Sequence, residues 1–326
     1  MENDIKVSII CNTYNQEKYI KETLEGFVNQ KTDFLFEVLV HDDASTDNTA
    51  GIIKEYEEKY PELIKPIYQT ENQYSKKVKI IKTFQVPRIK GEFVAFCEGD
   101  DCWIDNLKLQ KQYDFMSKHP EYSMCATSTI WYNLKTGIKE KRCQITEDRD
   151  VPLEEIISGK KGGSFQTASI FTRKDVFCSY PEWRSMFPIG DFPLFVLAAL
   201  KGKVRMFADV TTLYRFYAEN SWTVRMDNEE SRARISKQMI TALEALNRNT
   251  EYKHDSIINK RILKHKYTLA LMEHDWCALK SGELKEMYKS RSAFYRLSDY
   301  LRCKYPKLYN VTMKPLAKRI KSKRGE

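Results

Sequence analysis

Three acidic residues within four positions form the part of the chain best suited to bind a cation. Glu98, Asp100 and Asp101 follow a short apolar run in the segment FVAFCEGDDCW, residues 93–103. A short apolar run bounded by polar residues predicts a buried strand, so the carboxylates would lie where that strand leaves its sheet. Carboxylates this close repel one another, and a hard divalent ion such as Mg2+ or Mn2+ relieves that repulsion. Taken alone, the cluster is also typical of an acidic surface turn.

Two further polar clusters follow predicted strands in the same way. Residues 12–15 follow a strand predicted at 7–11, and residues 42–47 follow a strand predicted at 36–41. In an open sheet of parallel strands, ligands bind beyond the carboxyl ends of the strands. We therefore expect the three clusters to converge on one site.

The elements that must position these clusters alternate between strand and helix. Apolar runs predict strands at 7–11, 36–41, 64–68 and 93–97, and helices at about 17–28 and 45–59 lie between the first three. Helices of this length between strands predict an α/β fold with a mostly parallel sheet covered on both faces. Later strands are predicted at 123–132, 168–172, 204–207 and 212–217, and helices at about 106–119 and 193–201. From residue 229 the pattern is helical to about residue 302.

Nearly all of the formal charge of +9 lies at the end of the chain. Residues 301–326 contain nine Lys or Arg and one acid, whereas residues 1–300 contain 45 basic and 44 acidic side chains. Basic and apolar residues interleaved in this way could lie against the anionic inner face of a membrane, and a solvated terminus is the alternative. The near-neutral remainder argues against a nucleic-acid-binding protein.

Cysteine usage and hydropathy indicate a cytoplasmic protein. The eight cysteines include no C-x-x-C pair, which is typical of reduced proteins. The first predicted strand begins near residue 5 and leaves no room for a signal peptide. No apolar run approaches the roughly 18 residues that a transmembrane helix needs.

Four segments together resemble the glycosyltransferase family 2 pattern on the GT-A fold. They are VSIICNTYNQEKYI at 7–20, VLVHDDASTDNT at 38–49, FVAFCEGDDCW at 93–103 and GDFPLF at 190–195. The resemblance covers roughly residues 5–225 and fits best the bacterial enzymes that build surface polysaccharides such as capsule, lipopolysaccharide or O-antigen. It implies a GT-A nucleotide-sugar-binding and catalytic domain at 1–225, then a C-terminal helical region with the basic tail at 226–326.

The resemblance also implies roles for individual residues. The donor is expected to be a UDP-sugar and the acceptor a hydroxyl of a glycan or lipid-linked molecule. Asp191 would be the general base of an inverting transfer, and a divalent metal, Mn2+ or Mg2+, would bind Asp100 and Asp101. The residues implied for nucleotide binding are Asn12, Thr13, Tyr14, Asp42, Asp43 and Asp100, with Asp43 accepting a hydrogen bond from uracil. Candidate sugar or acceptor contacts are Glu98, Trp103, Gln166, Thr167 and Trp222.

Two positions depart from the family pattern. Glu98 replaces the usual first aspartate of the D-x-D element, and Tyr217 stands where many relatives carry a histidine. A phenol does not supply the ligation of a neutral imidazole at pH 7, so the metal would depend more on Asp101 and phosphate oxygens. A nucleotide-sugar-binding protein without turnover is the alternative function. A dehydrogenase is disfavoured because no G-x-G-x-x-G follows the first strand.

Overall fold

The structure is a computed structural model that describes residues 4–142, 145–159, 165–219, 221, 224 and 228–316. Trp222, predicted as a sugar or acceptor contact, lies outside the described residues, as does the end of the basic tail from residue 317. The chain divides into two compact units. The first comprises Met1–Pro181 and Ile189–Arg225, and the second comprises Glu182–Pro188 and Met226–Glu326.

The strands described in the first unit form one sheet. They are β1 (Ile5–Thr13), β2 (Leu35–Asp42), β3 (Ile64–Tyr68), β4 (Phe93–Phe96), β5 (Cys102–Trp103), β6 (Tyr122–Asn133), β7 (Lys139–Arg142), β8 (Arg149–Asp150), β9 (Phe171–Arg173) and β10 (Lys203–Phe216). Their order is β3-β2-β1-β4-β9-β6-β10-β5, with β7 beside β6 and β8 beside β10. Strands β1 to β4 are parallel to one another, as are β6 and β10, while β9 runs antiparallel between β4 and β6.

Helices cover the sheet in the first unit. They are α1 (Ile20–Val28), α2 (Thr49–Lys59), α3 (Lys108–Lys118), α4 (Leu153–Ser158), α5 (Lys174–Phe177) and, after α6 (Glu182–Met186) of the second unit, α7 (Asp191–Lys201). Alternate residues of β1, among them Val7 and Ile9, pack in one core cluster with Leu24 of α1, Ile53 of α2 and Leu109 of α3. Intervening residues such as Ile10 are also fully buried. Burial of both strand faces is the pattern of an α/β sheet, which confirms the predicted fold class.

Three predicted strands differ in the structure. The strand predicted at 168–172 is a 3-10 turn, Thr167–Ser169, followed by the short β9. The strands predicted at 204–207 and 212–217 are one continuous strand, β10, whose pairing with β6 shifts register between Phe207 and Val210 and between Val210 and Thr212. A bulge of this kind inserts unpaired residues without ending the strand, so it interrupts the apolar alternation that sequence reasoning follows.

The second unit is helical within the described residues. After α6 its helices are α8 (Glu229–Asn249), α9 (Asp255–Met272), α10 (Trp276–Leu279), α11 (Gly282–Lys289), α12 (Ala293–Lys304) and α13 (Pro306–Val311). A small core joins Tyr267 of α9 to Leu279, Tyr288 and Cys303. The predicted C-terminal helical region is confirmed. Among the helices described, none is both long and apolar enough to cross a membrane.

Candidate active site

Backbone hydrogen bonds join the loops that follow β1, β2 and β4. The N–H of Asp43 donates to the carbonyl of Thr13 at 3.0 Å, and the N–H of Gly99 donates to the carbonyl of Asn12 at 3.0 Å. Since the three strands are parallel, their carboxyl ends meet at one edge of the sheet. The structure therefore brings the last residues of β1 and β2, which are Asn12, Thr13 and Asp42, together at this edge with Asp43 and Asp100 of the following loops.

The loop after β1 is fastened to the loop after β2. The N–H of Asn15 donates to Ser45 Oγ at 2.9 Å, and Asn15 Oδ1 accepts from the N–H of Thr46 at 2.7 Å. Asn15 and Ala44 both adopt left-handed backbone conformations, with φ of 51° and 61°. Such conformations cost energy for most side chains and concentrate at functional sites. Tyr14, which sequence reasoning assigned to nucleotide binding, is half-buried on this loop.

Asp42 and Asp43 have different surroundings. The Asp42 carboxylate accepts from the Ser45 hydroxyl at 2.5 Å and from the Ser45 N–H at 3.1 Å, and burial raises the pKa of Asp42. The Asp43 carboxylate accepts from the N–H of Gln73 at 2.8 Å and of Tyr74 at 3.0 Å. Asp43 therefore holds the loop after β3 to the sheet edge. Each carboxylate oxygen has a second lone pair, so these bonds leave acceptor capacity for a ligand.

Gly99 allows the acidic loop to approach the loop after β1. A Cβ atom at residue 99 would lie 2.4 Å from Gln16 Oε1 and 2.6 Å from Thr13 Oγ1. The side chains of Thr13 and Gln16 therefore occupy the space beside Gly99. The hydroxyl of Thr23 on α1 bonds to the Gly99 carbonyl at 2.9 Å and to the Asp101 carbonyl at 2.5 Å, so α1 also fixes this loop.

Arg215 of β10 is the site residue that sequence reasoning missed. It is 5% exposed; its Nη1 donates to the Asp100 carbonyl at 2.8 Å, and its backbone N–H donates to Asp101 Oδ1 at 3.0 Å. The side chain also pairs with Glu22 of α1. Burial and the negative charge of Asp100 raise the pKa of Asp101 well above its ordinary range. An arginine in a strand pattern ordinarily indicates a solvent-facing position, so the sequence carried no signal of these contacts.

The acidic loop fits a metal ion only in part. Among the described residues, no three Asp, Glu, His or Cys side chains lie close enough together to hold one. Asp101 is buried against the Arg215 amide, whereas Glu98 is exposed. In nucleotide sites Mg2+ binds through one or two carboxylates plus substrate phosphates. Of the two predicted metal ligands, Asp100 would hold a cation together with the donor diphosphate and water, and Asp101 Oδ1 accepts from the Arg215 N–H inside the fold.

Asp191 is the first residue of α7. At the other end of that helix the Ala198 carbonyl accepts from Ser123 Oγ at 2.7 Å, beside the start of β6. Helix α7 then turns at Gly202 into β10, which is parallel to β6, so the helix runs opposite to both strands. Seven helical residues span about 10 Å. Asp191 therefore lies toward the carboxyl end of β6, which points to the same sheet edge as the carboxyl end of β4.

The contacts of the remaining predicted site residues place them less clearly at the site. Trp103 is 4% exposed, and its indole N–H donates to the Ala168 carbonyl at 2.9 Å, which favours a core role over a wall for a sugar. Gln166 and Thr167 are half-buried at the 3-10 turn that contacts β4, β6 and β10. Tyr217 has a left-handed backbone with φ of 68°, and Lys135 Nζ lies 3.7 Å from its ring centroid.

Solved structures share this fold. The crystal structure of Staphylococcus aureus TarS 1-349 aligns with a TM-score of 0.55 at 22% identity, over 92% of this chain and 81% of that one. The mannosyltransferase PcManGT from Pyrobaculum calidifontis, in complex with GDP-Man and Mn2+, aligns with a TM-score of 0.55 at 15% identity, over 94% of this chain and 87% of that one. At these identities the likeness concerns the fold.

Sequence relatives and a family model identify the family. An uncharacterized protein of Mycobacterium tuberculosis is 34% identical over 220 residues, 66% of this chain and 60% of the relative. The putative glycosyltransferase EpsE of Bacillus subtilis is 28% identical over 186 residues, 57% of this chain and 63% of the relative. The chain thus spans less than two thirds of the length of these relatives. The model for "Glycosyl transferase family 2" matches residues 8–177, slightly more than half of the chain, and the chain therefore belongs to glycosyl transferase family 2.

Proposed function

We propose that the protein is an inverting glycosyltransferase of bacterial cell-surface polymer synthesis. It moves a sugar from a nucleotide sugar, a UDP-sugar in the first instance, to a hydroxyl of a glycan or lipid-linked acceptor. The observation that supports this most is that hydrogen bonds join the loops after β2 and β4, with Asp43 and Asp100 on them, to the end of β1, with Asn12. Two relatives from Bacillus subtilis support this proposal: EpsE is named a putative glycosyltransferase, and TuaG a putative teichuronic acid biosynthesis glycosyltransferase.

The proposed donor site uses two carboxylates for different parts of the nucleotide sugar. Asp43 would accept a charge-assisted hydrogen bond from uracil, which is roughly twice as strong as a neutral one. Asp100 would contact the ribose or the diphosphate, beside Asn12, Thr13 and Tyr14. Solved structures support the choice of uridine, because TarS has been solved in complex with UDP-GlcNAc and with UDP. PcManGT was solved with GDP-Man, so an experiment must distinguish a guanine nucleotide from a uracil nucleotide.

In the proposed reaction Asp191 accepts the proton of the acceptor hydroxyl. The hydroxyl oxygen attacks the anomeric carbon as the bond from that carbon to the nucleotide diphosphate breaks on the opposite side, so the configuration inverts. A positioned general base contributes about 100- to 10,000-fold to such a step. A divalent cation, held by Asp100 with phosphate oxygens, would neutralise charge on the departing diphosphate. Asp101, whose carboxylate accepts a hydrogen bond from the Arg215 N–H, supports this loop from inside the fold.

We also propose that the C-terminal segment contacts an anionic membrane that presents the acceptor. Tyr305, Leu308 and Val311 are 53%, 49% and 78% exposed, which is unusual for apolar side chains so close together. Exposed lysines 304, 307 and 314 lie among them. Each basic residue near anionic headgroups contributes about 1 kcal/mol, and the exposed apolar side chains add to it.

A donor screen tests the proposed function. The full chain is mixed with UDP, GDP and dTDP and with their sugars, with and without Mn2+, and thermal stabilisation and sugar hydrolysis are measured. UDP and at least one UDP-sugar should raise the unfolding temperature, and Mn2+ should increase the effect. A response confined to GDP or dTDP compounds would overturn the uridine assignment. No response to any nucleotide would overturn the proposed function.

A further inference from the structure

One buried arginine connects the acidic loop to two other elements. Arg215 lies on β10, and its Nη1 donates to the carbonyl of Asp100 at 2.8 Å. Its Nη2 pairs with the carboxylate of Glu22 on α1 and lies 3.8 Å from Cys102 Sγ. The guanidinium carbon is 5.3 Å from the ring centroid of Tyr19. The planar guanidinium offers five donors in a fixed geometry, so it can hold several acceptors at once where a lysine cannot.

The same residue contacts the two neighbouring aspartates in different ways. Its backbone N–H holds the Asp101 carboxylate at 3.0 Å inside the fold, while its side chain holds the Asp100 main chain. Both aspartates are largely buried, at 8% and 4% exposure, and their charges repel. A positive group at this place offsets part of that repulsion, because opposite charges at short range stabilise each other strongly away from water. The orientation of the Asp100 peptide therefore depends on Arg215.

We propose that Arg215 is a positioning residue of the donor site, which fixes the Asp100 peptide so that Asp100 serves the donor diphosphate and its cation while Asp101 remains inside the fold. This inference rests on the proposed nucleotide-sugar site. It assigns Arg215 no contact with the substrate. The inference predicts that Arg215 affects ligand affinity separately from its effect on stability.

A second arginine provides a matched control. Arg173 of β9 donates from Nε to the Tyr122 carbonyl at 2.8 Å and from Nη2 to the Met116 carbonyl at 2.9 Å. Its hydrogen bonds go to backbone carbonyls, as does the one that Arg215 Nη1 donates to Asp100. Arg173 pairs with Phe93, at the start of β4, so it lies at the amino edge of the sheet, away from the proposed site. Loss of Arg173 should therefore affect stability without affecting ligand binding.

The experiment compares Arg215→Met, Arg215→Lys, Glu22→Gln and Arg173→Met in the full chain. Calorimetry measures the affinity for UDP at saturating Mn2+ and for Mn2+ at saturating UDP, and thermal unfolding measures stability. Removing a hydrogen bond from a charged donor typically changes an equilibrium by about ten- to a hundredfold. Arg215→Met should weaken both affinities by about that factor. Arg215→Lys should recover part of it, Glu22→Gln should lose less, and Arg173→Met should lower only the unfolding temperature.

The outcomes distinguish this inference from the proposed function. Affinities of Arg215→Met within twofold of the wild type, with a lowered unfolding temperature, would show a purely structural role. If Arg215→Met does not fold, Arg215→Lys and Glu22→Gln decide the question, because unchanged affinities in both would overturn the inference. Failure of the wild-type chain to bind any nucleotide would instead overturn the proposed function, and this inference with it.

Discussion

The backbone nitrogen of Gly99 lies 3.0 Å from the carbonyl oxygen of Asn12 and donates a hydrogen bond to it. This bond joins the acidic loop after β4 to the carboxyl end of β1. Residue 99 can approach so closely only because it has no side chain, since a Cβ there would overlap Thr13 and Gln16. The candidate site thus depends on a main-chain contact between two distant segments.

Gly99→Ala should destabilise the fold and weaken nucleotide binding together. Relieving contacts of 2.4 and 2.6 Å with Gln16 and Thr13 requires both loops to shift, and overpacking of this kind typically costs about 1 to 3 kcal/mol. Urea unfolding measures the free energy of unfolding. Gly190→Ala is the control, because a Cβ at residue 190 meets nothing within 4 Å. A variant Gly99→Ala as stable as Gly190→Ala would contradict the tight contact.

Asp43→Asn should loosen the loop after β3. The variant keeps an acceptor for the N–H groups of Gln73 and Tyr74 but loses the charge that strengthens both bonds. Hydrogen exchange of these two amides should become about tenfold faster, in line with the loss of about 1.4 kcal/mol. The amides of Val38 and Leu39 within β2 serve as internal controls. Unchanged exchange at Gln73 and Tyr74 would show that the Asp43 charge does not hold this loop.

Lys108 should make the stability of the protein depend on pH. It is fully buried, with Nζ 2.7 Å from Gln112 Oε1 and 4.1 Å from the ring centroid of Trp103. Burial lowers the pKa of Lys108 to about 7. Between that value and the unfolded pKa of about 10.4, the unfolded chain binds more protons than the folded chain, so stability rises with pH.

The measurement compares the free energy of unfolding of the wild type and Lys108→Met from pH 7 to 10. The wild type should gain on the order of 3 kcal/mol relative to Lys108→Met over this range. Lys111→Met is the control, because Lys111 pairs with Asp105 and Asp209 near the surface and its pKa is raised. Parallel pH profiles for the wild type and Lys108→Met would show that Lys108 keeps an ordinary pKa.

The C-terminal segment should bind vesicles according to their charge. The full chain should sediment with vesicles that contain phosphatidylglycerol and not with pure phosphatidylcholine, and high salt should reverse this because it screens surface charge. Lys304→Gln combined with Lys307→Gln should reduce binding by about thirtyfold, at about 1 kcal/mol for each charge near the surface. Lys285→Gln combined with Lys289→Gln is the control on α11. Equal binding to both kinds of vesicle would contradict the membrane proposal.

The sequence predicted the elements whose pattern is local and regular. Strands β1 to β4 are short apolar runs between polar loops, and their order as parallel strands implies that the loops after them meet at one edge. Arg215 and Lys108 could not be predicted in this way. The burial of Arg215 depends on partners distant in sequence, Glu22 and Asp100. Lys108 lies against the ring of Trp103, which is near it in sequence, but a charged residue taken alone predicts a solvent-facing position.

Asp191→Asn tests the proposed chemistry most directly. Three quantities are measured: the rate of UDP release from the sugar donor found in the screen, the UDP affinity and the thermal stability. The control variant is Asp175→Asn, because Asp175 is an exposed acid in the first turn of α5. Asp191→Asn should lower the rate at least about 100-fold while UDP affinity stays within about threefold, because an amide does not accept the proton. Asp175→Asn should match the wild type. An unchanged rate for Asp191→Asn would remove Asp191 from the reaction and contradict the general-base mechanism proposed for this protein.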